Sequence, residues 1–126
     1  MRVINFGADV AEPIALFESV ASSSVELGRG SGEVRVYCVH FDANAQIGVH
    51  PTGFCQLFLV VQGSGWAVGG DGRRVHLDAG QGVFFELGEI HSKGSESGMI
   101  AIMVQASDLQ PSDVVRQVNE DDCGAA

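Results

Sequence analysis

The sequence predicts an all-β fold, a sandwich or barrel of short strands with irregular or helical ends. Its 126 residues include 17 glycines and only 3 prolines, which separate short apolar runs. These runs are rich in β-branched and aromatic residues, and they recur at intervals of about 8–12 residues, as strands joined by tight turns do. The length indicates a single domain.

Six runs carry the strand signal. The most apolar is FCQLFLVV, and the clearest turn is Asp71-Gly72, because both central positions of a two-residue hairpin favour positive φ. The predicted strands are residues 33–41, 54–61, 65–68, 73–77, 82–86 and 99–105.

The two ends of the chain differ from this pattern. Residues 11–20 suit an irregular stretch or a short helical turn that starts near Pro13. Residues 112–118 are expected to form a short helix with Ser112 as its N-cap, followed by an acidic tail. We therefore expect a segment over 1–30 that packs on the barrel or on a partner, a barrel over 31–109, and a C-terminal helix and tail over 110–126.

The charge balance excludes several classes of partner. Sixteen acidic residues face seven basic ones, which gives a net charge of −9. A surface this acidic repels nucleic-acid phosphates and anionic membranes. No apolar run approaches the ~18–20 residues of a spanning helix, and residues 1–10 do not resemble a signal peptide. Three cysteines without a CxxC spacing make the reducing cytoplasm the expected compartment.

One amide stands out in the most apolar strand. Both faces of residues 54–61 are apolar, so both should be buried. Gln56 is the one side chain of this strand with strong hydrogen-bonding groups, and an unpaired buried amide costs about 1–3 kcal/mol. Gln56 therefore needs a partner, which is either backbone or buried water in a structural role, or a metal or ligand in a functional one.

Two histidines raise the same question. His50 precedes Pro51, and His91 follows a turn at Leu87-Gly88. A lone histidine is more often structural or exposed than functional. The functional interpretation depends on His50, Gln56 and His91 acting together.

The spacing of these residues resembles that of a small single-domain cupin. The first cupin motif, G(x)5HxH(x)3–4E(x)6G, and the second, G(x)5PxG(x)2H(x)3N, cover residues 44–95. Five of the ten motif positions match: His50, Gly63, Gly80, Gly88 and His91. The other five positions hold Asn44, Thr52, Gln56, Glu86 and Ser95.

The resemblance implies a double-stranded β-helix, or jelly-roll barrel, with a metal inside. The usual cupin ligands are three histidines and a glutamate. Carried over by position, His50 and His91 are retained, Thr52 replaces the second histidine and Gln56 replaces the glutamate. The expected metal set is therefore His50, Gln56 and His91. Such ligands suit Zn, Ni, Fe, Mn or Cu, with an open position left for substrate.

Further candidates complete the expected site. Strand parity favours an inward His40, which would then be a fourth ligand. Glu86 is the candidate catalytic acid or base at the rim. The expected pocket residues are Thr52, Phe54, Phe58, Trp66 and Phe84.

Two functions compete on this basis. One is an enzyme that uses the metal for isomerisation, cyclisation or oxygenation of a small organic molecule. The other is a binding or sensor module that holds a small ligand without a metal and without turnover. A bare scaffold would leave the spacing of His50, Gln56 and His91 as coincidence. We expect a homodimer, because strand edges and the doubly apolar strand need cover.

Overall fold

The computed structural model describes residues 1–112 and contains almost no helix. A single 3-10 turn spans Ala8–Val10. The helix expected over 112–118 lies outside the described residues except for Ser112, as does the acidic tail. The strands are β1 (Arg2–Asn5), β2 (Glu12–Pro13), β3 (Ser23–Ser24), β4 (Gly28–Phe41), β5 (Ala45–Pro51), β6 (Cys55–Val68), β7 (Arg74–Asp78), β8 (Gln81–Phe85), β9 (Ile90–Ser95) and β10 (Met99–Pro111).

Two antiparallel layers share the long strand β6. The first layer has the order β1-β8-β6-β10-β4, and it uses the first half of β6. The second layer contains β7, the second half of β6, β9 and β5. Because β6 crosses from one layer to the other, the layers face each other. The all-β jelly-roll expectation is confirmed.

Gly63 marks the point where β6 changes layer. Its φ is +78°, which favours glycine, and a Cβ there would collide with the carbonyl oxygen of Gly98. The register between β10 and β6 slips beside it, between Ile100 and Ala101. This bulge turns β6 towards the second layer.

The first layer has an inner and an outer face, and each buries its own cluster. The inner cluster lies between the layers, and its largest members are Phe41, Phe58 and Phe85. The outer cluster contains Leu57, Leu59 and Phe84 together with Ile4 and Leu109. As predicted, the residues from Cys55 to Val60 are buried, because each face of β6 meets a different cluster. The two ends of the predicted run differ, since Phe54 is half-buried and Val61 is exposed.

The N-terminal segment covers the outer face. β1 pairs with β8 along Arg2–Asn5, while Phe6, Val25 and Leu27 pack against the outer cluster. The segment thus lies on the barrel of its own chain. No helix among residues 1–112 is long and apolar enough to cross a membrane.

The cysteines differ from the sequence expectation. Cys38 is free and exposed, whereas Cys55 is buried and disulfide-bonded. A cysteine in an apolar strand-like run is most often an inert core thiol, and neither Cys38 nor Cys55 is one.

Candidate functional site

A buried lysine lies between the two layers. Lys93 is only 1% exposed, and its ammonium group donates a hydrogen bond to the amide oxygen of Gln56. Its Nζ atom also lies 5.0 Å from the ring centre of Phe58 and 5.2 Å from that of Phe85. A cation over aromatic rings gains electrostatic attraction, which partly offsets the loss of water.

Strand alternation brings Lys93 to this position. On β9, the residues His91, Lys93 and Ser95 share one face, because successive strand side chains point in opposite directions. Lys93 pairs with Ala67 of β6, which belongs to the inner cluster. The face of β9 that carries His91 therefore points into the barrel, towards Gln56 on the opposite layer.

Burial changes the charge state of this lysine. Desolvation lowers the pKa of Lys93 from 10.5 to about 7. Among residues 1–112, no carboxylate pairs with it, and Gln56 is its one hydrogen-bond acceptor. At neutral pH a substantial fraction of the Lys93 amine is therefore uncharged.

His50 and His91 form a second polar contact at the barrel mouth. His50 is exposed and His91 is 1% exposed, and their Nε2 atoms are 3.1 Å apart. Nδ1 of His50 is 2.6 Å from the carbonyl oxygen of Gly48, so this nitrogen must carry the proton. Nε2 of His50 then accepts a hydrogen bond from Nε2 of His91.

This pattern leaves a lone pair buried on His91. Desolvation first, and then the charges of Lys93 and His50, lower the pKa of His91 to about 3, so the ring is neutral. With the proton on Nε2, Nδ1 is an acceptor. It is buried and has no hydrogen-bond partner among the described residues. Such an atom calls for a donor from water or from a ligand.

The three expected metal ligands do not converge. The Nε2 atoms of the histidine pair are close enough to share one ion, but the amide oxygen of Gln56 is bonded to Lys93. An ammonium group on Gln56 would repel a divalent cation held there. No group of three or more His, Cys, Asp and Glu residues within 1–112 could hold a metal. The set of His50, Gln56 and His91 therefore does not fit a three-ligand centre in this arrangement.

Several expected residues do meet inside the barrel. Gln56 and Phe58 point inward from β6, and His91 packs edge-on against Phe85 with ring centres 4.3 Å apart. Phe54 is half-buried near the rim, where the guanidinium of Arg35 lies 5.2 Å from its ring centre.

Thr52 has a structural role. Its hydroxyl donates to the carbonyl oxygen of Glu89 at 2.7 Å, and its backbone N–H donates to the same oxygen at 2.9 Å. Its own carbonyl accepts from Gly88. Thr52 thus locks the turn that precedes His91, and its side chain is not available to a ligand.

Two aromatic residues that were expected in the pocket, Phe84 and Trp66, do not face the interior of the barrel. Phe84 is buried in the outer cluster, with Arg2 stacked 5.1 Å from its ring centre. Trp66 pairs with Gly94 and alternates with the inward Ala67, so it faces outward beneath Arg74. It lines a shallow surface pocket of about 220 Å³. The inward neighbours Phe85 and Ala67 occupy the interior instead.

The other two expected site residues also lie outside the interior. Glu86 accepts a hydrogen bond from Arg2 at 2.9 Å, on the side of Phe84, so it does not face the His91 cluster. His40 pairs with Ile100, two residues from Ile102, which pairs with the outer-face Leu59. The expectation of an inward His40 is therefore wrong, and this histidine is exposed on the outer face.

Lys93 is a candidate site residue that the sequence analysis did not single out. The signal was present, because Lys93 is the chain's only lysine and stands two residues after His91 in a strand. Residues i and i+2 of a strand share a face, so an inward His91 implies an inward Lys93.

The chain is similar to proteins with a barrel of this kind. A family model described as the AraC-like ligand binding domain matches residues 32–115. A cupin superfamily protein from Desulfitobacterium hafniense superposes with a TM-score of 0.56 at 15% identity, over 86% of this chain and 100% of that chain. A cupin-like protein from Thermotoga maritima gives 0.52 at 17% identity, over 75% and 82%.

A conserved protein of unknown function from Streptococcus pyogenes is similar in the same way. It gives a TM-score of 0.55 at 14% identity and covers 60% of this chain. The chain spans 66% of that protein's length. No curated protein matches the chain. At such identities the likeness to solved structures shows the fold alone.

Proposed function

Because the chain belongs to the AraC-like ligand-binding domain family and has the expected cupin barrel, we propose that it binds a small organic molecule between its layers. The observation that carries the proposal is the buried polar group of Lys93, Gln56 and His91. Lys93 has one acceptor for its three N–H bonds, and Nδ1 of His91 has no donor among the described residues. Buried polar atoms in native proteins are normally paired.

These atoms define the chemistry of the ligand. It needs an acceptor for Lys93 and a hydroxyl or N–H donor for Nδ1 of His91. Its remaining surface must suit the rings of Phe58 and Phe85, which form the walls beside Lys93. A small, largely apolar molecule with one or two oxygen groups meets all three requirements. Retention of such a ligand needs no metal.

A fragment screen by ligand-observed NMR tests this function. We expect small oxygenated aromatic and alicyclic compounds to bind the wild-type chain and to bind Lys93→Met at least about tenfold more weakly, since a hydrogen bond to a charged group is lost. His76→Ala is the matched control, because His76 is exposed and pairs with Asp78 on the surface. Compounds that bind Lys93→Met as well as they bind the wild type would contradict the proposal.

Metal binding by the histidine pair is the second candidate. With the proton of His91 moved from Nε2 to Nδ1, the 3.1 Å separation of the two Nε2 atoms suits two nitrogens that each lie about 2.0–2.1 Å from one ion. The proton of Nδ1 on His50 is held by a backbone carbonyl, as in many metal-binding histidines. Water or substrate would supply the other ligands, and Zn, Ni, Fe, Mn and Cu all accept imidazole.

We also propose that two copies associate through β4. This strand ends the first layer, and its outer edge has no strand partner within residues 1–112. Val34 and Val36 are 54% and 63% exposed on it. A long apolar edge favours pairing with another strand, and a second β4 related by a two-fold axis presents the same edge in antiparallel orientation.

A further inference from the structure

We infer that four residues of β5, Gly48-Val49-His50-Pro51, form a flap that opens to admit the ligand and closes over it. This inference rests on the proposed function, because it concerns the route to the same polar group. Lys93 and His91 are each 1% exposed, and Gln56 is 2% exposed. A ligand therefore reaches them only after part of the barrel wall moves.

The flap is a weakly held part of that wall. All seven residues of β5 are exposed or half-buried, and Val49 is 75% exposed. Among the described strands β5 pairs with β9 alone, and the register of this pair shifts between Ile47 and His50. Segments with few buried apolar contacts and exposed hydrogen bonds are the ones that open locally in native proteins.

The other strands around the polar group are held more firmly. Buried stretches extend from His91 to Ser95 in β9, from Cys55 to Val60 in β6 and from Gly82 to Phe85 in β8. The edge strand β4 pairs with β10 along most of its length. Moving any of these strands would disrupt a close-packed interior, whereas moving an exposed segment of β5 would not.

Both ends of the flap are anchored, so the motion is confined to its four residues. Before the flap, Ile47 packs against the inner cluster. After it, Thr52 is 2% exposed and donates two hydrogen bonds to the carbonyl oxygen of Glu89. A Cβ at Gly48 would have no heavy atom within 4 Å, so the backbone has free space to change its torsion angles at this end.

His50 is the part of the flap that covers the polar group. Its Nε2 atom lies 3.1 Å from Nε2 of His91, and the two ring centres are 4.5 Å apart. Nδ1 of His50 is bonded to the carbonyl oxygen of Gly48, so the ring and the flap backbone move as one unit. Opening uncovers His91, and closing restores its hydrogen bond to His50.

A reversible disulfide across the flap tests the inference. Pro51 is in register with Ile90 of β9, and both are exposed, so Pro51→Cys combined with Ile90→Cys joins the flap to β9 on the outer surface. Because Lys93 is the only lysine, its acetylation by acetic anhydride, located by peptide mass spectrometry, reports how often the flap opens. We expect the rate at Lys93 to fall at least about tenfold in the oxidised variant and to recover after reduction.

Controls separate flap opening from other effects. The wild type, carried through the same oxidation and reduction, should keep a constant rate. His50→Ala removes the covering ring, so Lys93 should react faster, whereas His76→Ala changes an exposed histidine of β7 and should leave the rate unchanged. Equal rates in the oxidised and reduced variant, or an unchanged rate in His50→Ala, would overturn the inference. Acetylation of Lys93 only in urea that unfolds the chain would overturn it as well.

The flap and the proposed function can fail separately. If fragments bind but the disulfide slows neither their association nor the acetylation of Lys93, the proposed function stands and the flap is overturned. If the disulfide protects Lys93 but no fragment binds, the flap stands and the proposed function fails.

Discussion

Lys93 and Gln56 depend on each other at the centre of the barrel. Gln56 supplies the acceptor for a lysine that is 1% exposed, and Lys93 supplies the donor that a buried amide requires. Removal of either partner leaves the other unpaired in an apolar environment. The pair is therefore both a structural element and the polar part of the proposed site.

The variant Gln56→Leu tests this dependence. It leaves the Lys93 amine without its acceptor, so we expect the free energy of unfolding to fall by about 1–3 kcal/mol. Gln105→Leu is the control, because Gln105 is the residue of β10 that pairs with Gln56 and is half-buried. Urea denaturation measures both variants. Equal free energies of unfolding for Gln56→Leu and the wild type would show that the hydrogen bond between Lys93 and Gln56 does not stabilise the fold.

The stability of the protein should also depend on the titration of Lys93. Its pKa is about 7 in the folded chain and near 10.5 when unfolded. Between these values the unfolded chain binds a proton that the folded chain does not, so stability rises as pH increases from about 7 to 10.5. In Lys93→Met this part of the rise should disappear. If the free energy of unfolding changed with pH in the same way in Lys93→Met and in the wild type, this prediction would be contradicted.

The long strands β4 and β6 determine which side chains can reach the site. The spacing of motif residues correctly predicted that His91 and Gln56 are inside, because turns and alternation are local properties of the chain. The parity of β4 could not be predicted in this way, because an arginine in a strand normally indicates the solvent-facing side. Arg35 is in fact on the inner face, at the rim near Phe54, where an edge strand leaves it exposed.

The same limit explains the misplaced aromatics. Phe84 and Phe85 are adjacent and equally apolar, so composition cannot say which of them faces the interior. The answer depends on β1, which covers the outer face and buries Phe84 against Ile4. Such a choice is made by tertiary packing and could not be predicted from the strand alone.

A charge on the edge of β4 tests the proposed dimer. Val36→Lys places an ammonium group on the exposed outer face without disturbing the inner cluster, so we expect a dimeric chain to become monomeric. Light scattering of the wild type and the variant measures the change, with Val49→Lys as the control at an exposed position on β5. A monomeric wild type would contradict association through this edge.

At the scale of the whole molecule, the jelly roll holds a small polar cluster inside an apolar barrel. The fold was predictable because glycine spacing, strand periodicity and two motif segments all agreed. The partner of Gln56 was less predictable. The motif implied that Gln56 binds a metal, whereas its amide oxygen accepts a hydrogen bond from Lys93. The organic-ligand and metal functions therefore differ in the metal content that they predict for the purified protein.

Elemental analysis of untagged protein, purified without chelator and alongside His91→Ala, tests that difference most directly, with native mass spectrometry of the same samples. We expect no stoichiometric metal in the wild type, even after exposure to Zn, Ni, Fe, Mn and Cu salts, and an organic adduct when a binding fragment is added. About one metal ion per chain in the wild type, lost in His91→Ala, would contradict a metal-free ligand site and support the histidine pair as a metal centre.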